Sequence, residues 1–146
     1  MKALSMMQPY AWLFAKGFLK VDDRTWPTTY RGPVILHASK KFHAPYYAFL
    51  CQRTDWPLPA PNAFEAGGVV GIAELVNCLA PTAPAGSPFT QGDLERAHFG
   101  APGYYGFELA KARPLPFLAY RGNVGLFDIP DAVLAGIPGF VEARER

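Results

Sequence analysis

The chain has 146 residues, half of them hydrophobic, and a formal net charge of +2 at pH 7. This suits a single globular domain over residues 1–146, with a core at about 3–134 and a loose tail over 135–146, and such a chain needs no disulfide staples. No apolar run approaches the roughly 20 residues of a membrane helix, so no membrane partner is expected. Cys51 and Cys78 lack metal-ligand spacing and fit free thiols of a cytoplasmic protein.

The first predicted element is a short buried helix between Pro9 and Gly17. Proline suits the first helical position, because its missing N–H would be unpaired there anyway. Glycine suits the residue just past the end, where a left-handed conformation is cheap only without a Cβ. The residues between them are apolar almost all round, so we expect the helix to be largely buried.

A strand is predicted from Leu19 to Trp26, and alternation places Lys20, Asp22, Arg24 and Trp26 on one of its faces. That face carries a cation, a carboxylate, a guanidinium and an indole. One interpretation is a solvated strand face with paired charges. The other is a ligand site, and the polar residues that come after Trp26 in the chain favour it.

An apolar strand is predicted from Val34 to Ala38, close to further polar and aromatic side chains. These are Tyr30 and Arg31 before the strand, His37 near its end, and Ser39, Lys40 and Lys41 after it. Groups of several chemistries thus converge within a short, tightly turned segment, which indicates a site.

A helix is predicted from His43 to Arg53, with Pro45 in its first turn. Tyr47 and Arg53 on this helix are candidates to meet a base and a phosphate, although a buried tyrosine and a solvated arginine explain them equally well. The loop over 54–66 resists regular structure because of its three prolines. The loop, with its Trp56, either packs on the domain or forms a lip over the cleft.

The clearest strand runs from Gly68 to Ala80 and is nearly continuous in apolar residues, which is typical of a strand buried on both faces. Glu74 interrupts it, and a carboxylate there must find partners. A structural ion pair and a cleft carboxylate opposite Arg24 or Lys40 are both open at this point.

The last third of the chain alternates short elements with turns. We expect a helix from Thr90 to about Gly100 with His98 at its surface, a strand over Tyr104–Ala110, a break at Pro114 and Pro116, an outward-projecting Arg121, a strand over Leu126–Ile129, and a helix from Pro130 through Leu134. No phosphate-loop or dinucleotide-binding pattern occurs in the sequence.

Several of these stretches together resemble the ASCH domain family, a branch of the PUA-like superfamily, over about residues 3 to 130. They are Ser5-x-x-Gln8-Pro9-Tyr10-Ala11, Gly17 through Asp22-x-Arg24-x-Trp26, Tyr30-Arg31-Gly32, His37-Ala38-Ser39-Lys40, Tyr104-Tyr105-Gly106-Phe107 and Arg121 through Pro130. The resemblance implies an α+β fold, a small mixed β-barrel with flanking short helices. It also implies a cleft for RNA or a modified nucleobase, and some relatives are similar to ribonucleases or to amidohydrolases acting on acylated cytidine.

The family signature, Gly-x-Lys-x-x-Glu-x-Arg, matches this chain in part. Gly17 and Arg24 match, Asp22 stands at the Glu position, and Leu19 stands at the Lys position. The neighbouring Lys20 is one residue off, which on a strand means the opposite face. The amidohydrolase members rely on that lysine, so the signature argues for binding more than for their chemistry.

We therefore expect a domain that binds RNA, single-stranded by preference, or a modified nucleoside, without a cofactor or a metal. The expected ligand-binding residues are Gln8, Lys20, Arg24, Trp26, Tyr30, Arg31, Ser39, Tyr47, Arg53 and Arg121. Residues 1–53 hold eight Lys/Arg against two Asp/Glu, and such an asymmetry suits a polyanion-binding face.

Two alternatives belong to other functional classes. The first is a metal-independent ribonuclease or nucleobase-modifying amidohydrolase, in which His37, Lys40 and Asp22 are the candidate catalytic residues. Histidine suits acid–base work because its ordinary pKa lies near neutrality. The second is a protein-interaction domain whose proline-rich loop at Trp56 docks a partner.

Overall fold

The computed structural model describes residues 1–81 and 103–145. They form β1 (Lys2–Gln8), α1 (Tyr10–Ala15), β2 (Val21–Arg24), β3 (Gly32–Phe42), α2 (Ala44–Arg53), a 3₁₀ turn (Pro61–Ala63), β4 (Gly68–Leu79), β5 (Tyr105–Ala119), β6 (Phe127–Asp128), α3 (Asp131–Leu134) and α4 (Phe140–Glu145). One mixed sheet with a few short helices confirms the α+β class. The helix expected from Thr90, with His98, lies outside the described residues.

The six strands pair in the order β2-β5-β4-β3-β1-β6. Only β1 and β3 run parallel among the pairings of the described residues; the others are antiparallel. Strand β6 pairs with β1 at Lys2 and Ala3 only, and no other strand of residues 1–81 and 103–145 pairs with the second half of β1 on that side. The strand pairings do not close the sheet into a barrel, and closure remains a prediction.

Alternation along β3 divides the core between the two faces of the sheet. Val34, Leu36 and Ala38 are buried in one cluster together with α1 and α2. Ile35 is buried in a second cluster with the residues of α3 and α4. Helices therefore cover both faces, which explains why the central strands β3 and β4 read as continuous apolar runs.

Helix α1 packs closely on the sheet at a glycine. A Cβ added to Gly71 of β4 would lie 2.9 Å from the Cβ of Ala15 and 2.8 Å from the carbonyl oxygen of Arg113. Only glycine allows this approach of helix and neighbouring strand. The predicted end of the helix is confirmed as well, since Gly17 has φ of +82°.

Strand β5 does not break at Pro114 and Pro116 as the sequence analysis expects, but continues through both to Ala119. The reason lies in its partners. Strand β2 pairs with β5 only from Tyr105 to Glu108, so the later part of β5 is an edge of the sheet among the strands that the structure describes. Proline is tolerated at edges and bulges because no ladder hydrogen bond is lost there, and the β4–β5 register shifts near Gly71.

The C-terminal segment, which the sequence analysis treats as a loose tail, forms helix α4. Phe140 and Ala143 are buried, and so is Ile137 just before the helix. All three belong to the second core cluster. A stripe of apolar residues at helical spacing in a short, charged segment is enough to anchor it to the sheet.

The helices of the described residues include none with both the length and the apolar character needed to cross a membrane. Cys51 and Cys78 are free, the first of them exposed.

Candidate functional site

Two open clefts adjoin where the ends of β1 and β3 meet the loop after β5. The first cleft, of about 920 Å³, is lined by Ser5, His37, Ser39, Lys40, Gly67 and residues 119–124. The second cleft, of about 490 Å³, is lined by Ser5, Met6, Met7, Tyr10, Asp22, Asp23, Arg24, Trp26, Ser39, Lys41 and residues 123–125. Four residues line both: Ser5, Ser39, Asn123 and Val124. The two clefts therefore adjoin through a shared wall.

His37 lines the first cleft but is only 1% exposed. Its Nε2 lies 2.7 Å from the carbonyl oxygen of Tyr120, and its Nδ1 lies 2.9 Å from Ser5 Oγ. Because a carbonyl oxygen can only accept, Nε2 carries a proton and donates it. In the neutral ring Nδ1 then accepts from the Ser5 hydroxyl, so both ring nitrogens are occupied.

Gly122 is the residue that lets the loop approach His37. A Cβ there would lie 2.7 Å from His37 Cε1 and 3.0 Å from Ser5 Oγ. The ring is buried and held by two hydrogen bonds, so it has little room to move.

We expect Gly122→Ala to destabilise the fold by about 1–3 kcal/mol, measured by urea unfolding. Gly136→Ala, on an exposed turn, is the matched control and is expected to cost roughly 0.5 kcal/mol or less; equal losses would contradict the close approach.

The first cleft is electropositive. Lys40 and Arg121 line it and are both exposed. Among the lining residues, all of which belong to the described chain, there is no carboxylate. Two cations without an opposing acid are suited to a phosphate or another anion.

In the second cleft an ion pair within β2 is linked to β1 by a hydrogen bond. Arg24 Nε donates to Asp22 Oδ2 at 2.7 Å, and Arg24 Nη2 donates to the carbonyl oxygen of Ser5 at 3.0 Å. The side chains of Asp22 and Arg24 are 7% and 18% exposed. The Arg24 guanidinium of β2 thus connects β2 to β1, two strands that do not pair with each other in the sheet.

An indole and a phenol complete the second cleft. Trp26 is half-buried, and its ring meets Phe107 edge to face at 4.9 Å between centroids. Burial, together with the nearby charge of Asp22, raises the pKa of Tyr10 to about 12. The phenol therefore stays protonated at neutral pH, and Trp26 offers a fixed aromatic surface beside polar groups.

Asn123 and Val124 line both clefts but are not among the site residues predicted from the sequence. Val124 is 88% exposed, and its backbone N–H donates to Asn123 Oδ1 at 2.8 Å. The signal that points to them is the pair of glycines that brackets them, Gly122 and Gly125, the latter with φ of +66°. Lys41 in the second cleft was likewise noted only as part of the polar segment.

Four of the predicted site residues lie outside both clefts and bond to their own surroundings. Gln8 is 3% exposed, with Nε2 donating to the Glu65 carbonyl at 2.8 Å and Oε1 accepting from the Trp12 N–H at 2.9 Å. Lys20 is exposed and precedes β2. The side chains of Tyr30 and Arg31 donate to carbonyls of their own turn.

The two candidates on α2 also lie away from the clefts. The hydroxyl of Tyr47 donates to the Pro59 carbonyl at 2.7 Å, which ties the proline-rich loop to the helix. Arg53 lies over the ring of Phe49 at 5.2 Å. The structure therefore assigns them contacts within the domain.

Glu74 is paired with Lys111 at 3.8 Å and lines neither cleft. This supports the structural ion-pair interpretation over a cleft carboxylate. No group of three or more His, Cys, Asp and Glu side chains able to hold a metal ion occurs within residues 1–81 and 103–145.

Comparison with known proteins finds similarity over part of the chain. Over 81 residues the chain is 33% identical to Activating signal cointegrator 1 of Mus musculus and 32% identical to Activating signal cointegrator 1 of Homo sapiens. No family model matches the chain. Each match covers 52% of this chain but only 14% of the relative. About half of this chain is therefore homologous to a small segment of Activating signal cointegrator 1.

Proposed function

We propose that the two joined clefts bind single-stranded RNA or a modified nucleoside, with a phosphate at Lys40 and Arg121 and a base beside Trp26. The observation that carries the proposal is that a cleft lined by two cations shares four lining residues with a cleft lined by an indole. Single strands are recognised by stacking of unpaired bases on aromatics and by charge along the backbone. Both ingredients are present in these adjoining clefts.

The proposal includes membership of the ASCH domain family, a PUA-like barrel, and a cytoplasmic location. Support for the family comes from its motif residues Ser5, Arg24, His37 and Ser39, which meet at the clefts. The contact of Arg24 with Ser5 supports barrel closure, because it bridges β2 and β1 across the gap that closure would seal. The free thiols are consistent with a reducing compartment.

The two alternative functions have less support. A catalytic His37 would have to give up its hydrogen bond to Tyr120 or Ser5 before moving a proton. Leu19, at the family's lysine position, is 1% exposed and packs in the core. Trp56 packs against Phe18 with centroids 4.8 Å apart, which accounts for the tryptophan without a docking partner.

The test is equilibrium binding of a fluorescently labelled single-stranded RNA across a salt series. The logarithm of the association constant is expected to fall with the logarithm of salt concentration, with a slope of roughly −0.7 for each phosphate contact. A duplex of the same sequence is expected to bind more weakly, since its bases are already stacked. Binding that is absent or independent of salt would overturn the proposal, and RNA cleaved in the presence of chelator would replace it with the ribonuclease.

A further inference from the structure

Strand β2 gives the second cleft an acceptor-rich wall. Asp22 and Asp23 both line that cleft, at 5% and 3% exposure. Asp22 Oδ2 accepts from Arg24 Nε, and this is the one hydrogen bond that the Asp22 carboxylate makes within residues 1–81 and 103–145. Its second oxygen, Oδ1, is thus left for solvent or a ligand in the cleft.

The position of this carboxylate is set through Arg24, which is itself anchored. Arg24 holds Asp22 through Nε and is itself held by the Ser5 carbonyl through Nη2. An ionised carboxylate offers acceptors only. A rigid acceptor at the wall of a cleft favours ligands that present N–H or O–H donors and disfavours ligands that present a carbonyl oxygen at the same place.

Trp26 lines the same cleft and provides the aromatic surface for a base. Its edge-to-face contact with Phe107 fixes the indole. Asp22 lines the same cleft, so a base stacked on Trp26 would lie beside this acceptor. The identity of the group that the base presents there then decides whether the carboxylate gains a hydrogen bond or faces another oxygen.

Nucleobases differ in whether they carry an exocyclic amino group. Cytosine, adenine and guanine each carry an exocyclic amino group, which is a donor. Uracil and hypoxanthine carry oxo groups and no amino group. Replacing amino by oxo on an otherwise similar ring turns the exocyclic donor into an acceptor and turns the adjacent ring nitrogen from an acceptor into an N–H donor. The donor therefore moves by one position along the base edge, and a carboxylate held in a fixed place distinguishes the two patterns.

We propose that the second cleft selects nucleobases bearing an exocyclic amino group, with Trp26 against the ring and Asp22 Oδ1 accepting from the amine. This inference rests on the proposed function, because it names the class of base that the nucleic-acid site takes. Asp22 then acts as the specificity-determining residue of the cleft.

The test compares the unmodified protein with two matched pairs of probes. Oligocytidine and oligouridine of equal length differ mainly by amino against oxo on a pyrimidine, and oligoadenosine and oligoinosine differ in the same way on a purine. In each pair the amino-bearing oligomer is expected to bind roughly five-fold more tightly or better. Equal affinities within both pairs, or tighter binding of the oxo member, would overturn the inference and leave the proposed function intact. Failure of all four oligomers to bind would instead overturn the proposed function.

An Asp22→Asn variant tests whether Asp22 causes the preference for amino-bearing bases. An amide offers a donor as well as an acceptor, so the preference is expected to fall to near equality. Glu74→Gln, which neutralises a carboxylate outside both clefts, is the control and is expected to keep the full preference. A retained preference in a folded Asp22→Asn protein contradicts the assignment. Where that variant fails to fold, the two probe pairs on the unmodified protein still decide the inference.

Discussion

An Arg24→Met variant is expected to lose about 3–5 kcal/mol of unfolding free energy. The substitution keeps most of the side-chain volume but leaves the Asp22 carboxylate buried without its guanidinium. It also removes the hydrogen bond from Arg24 to the Ser5 carbonyl, which joins β2 to β1. Urea unfolding with linear extrapolation measures the loss, and an unchanged m-value would show that the native fold is otherwise kept.

Lys111→Met is the matched control for this prediction. Lys111 also pairs with a carboxylate, that of Glu74, but at 3.8 Å and with side chains 65% and 42% exposed. Exposed pairs contribute roughly 0–1 kcal/mol, so this variant should be nearly neutral. The double variant Asp22→Asn/Arg24→Met should recover part of the loss, because no uncompensated charge then remains buried. Equal destabilisation by Arg24→Met and Lys111→Met would mean that the Asp22–Arg24 pair is not a buried one.

The period of β2 predicts part of the site from sequence alone. Alternation places Asp22, Arg24 and Trp26 on one face, and all three line the second cleft. Lys20 fails to join them because β2 begins at Val21, so the alternation does not extend back to it. Asp23, expected on the other face, also lines the cleft, which strict alternation in a flat strand would not allow.

The rest of the site depends on contacts between distant segments. Ser5 and His37 become neighbours because β1 and β3 run parallel and pair Ser5 with His37. Asn123 and Val124 reach both clefts because β5 continues past Pro114 and Pro116 and delivers the following loop to the ends of β1 and β3. Local propensity predicts the individual helices and strands. The partner of each strand depends on long-range contacts, and so does the edge position that makes prolines tolerable in β5.

The same reasoning explains why positive charge along the sequence does not indicate which cations line the clefts. Arg31, Arg53 and Lys20 belong to the basic N-terminal third, yet each lies outside the clefts. Arg121 comes from a part of the chain with balanced charge, yet it lines the first cleft. Charge along the sequence indicates a basic protein segment, whereas the fold decides which cations share a surface.

The double variant Lys40→Gln/Arg121→Gln is expected to weaken single-stranded RNA binding by roughly 10- to 100-fold at low salt. Under the proposed function each side chain supplies a charge-assisted contact to phosphate, and losing one such contact costs about tenfold in affinity. The salt dependence should become shallower at the same time, by about 0.7 in slope for each lost phosphate contact. Fluorescence anisotropy over a salt series gives both quantities in one experiment.

Lys20→Gln/Arg53→Gln removes the same two charges from outside the clefts and is the decisive control. All four side chains are exposed, so neither double variant should disturb the core. If binding depends on the first cleft, the control keeps both the affinity and the salt slope of the unmodified protein to within a few-fold. Equal losses in the two double variants would mean that RNA binding depends on net charge alone. The first cleft would then not be the phosphate-binding site.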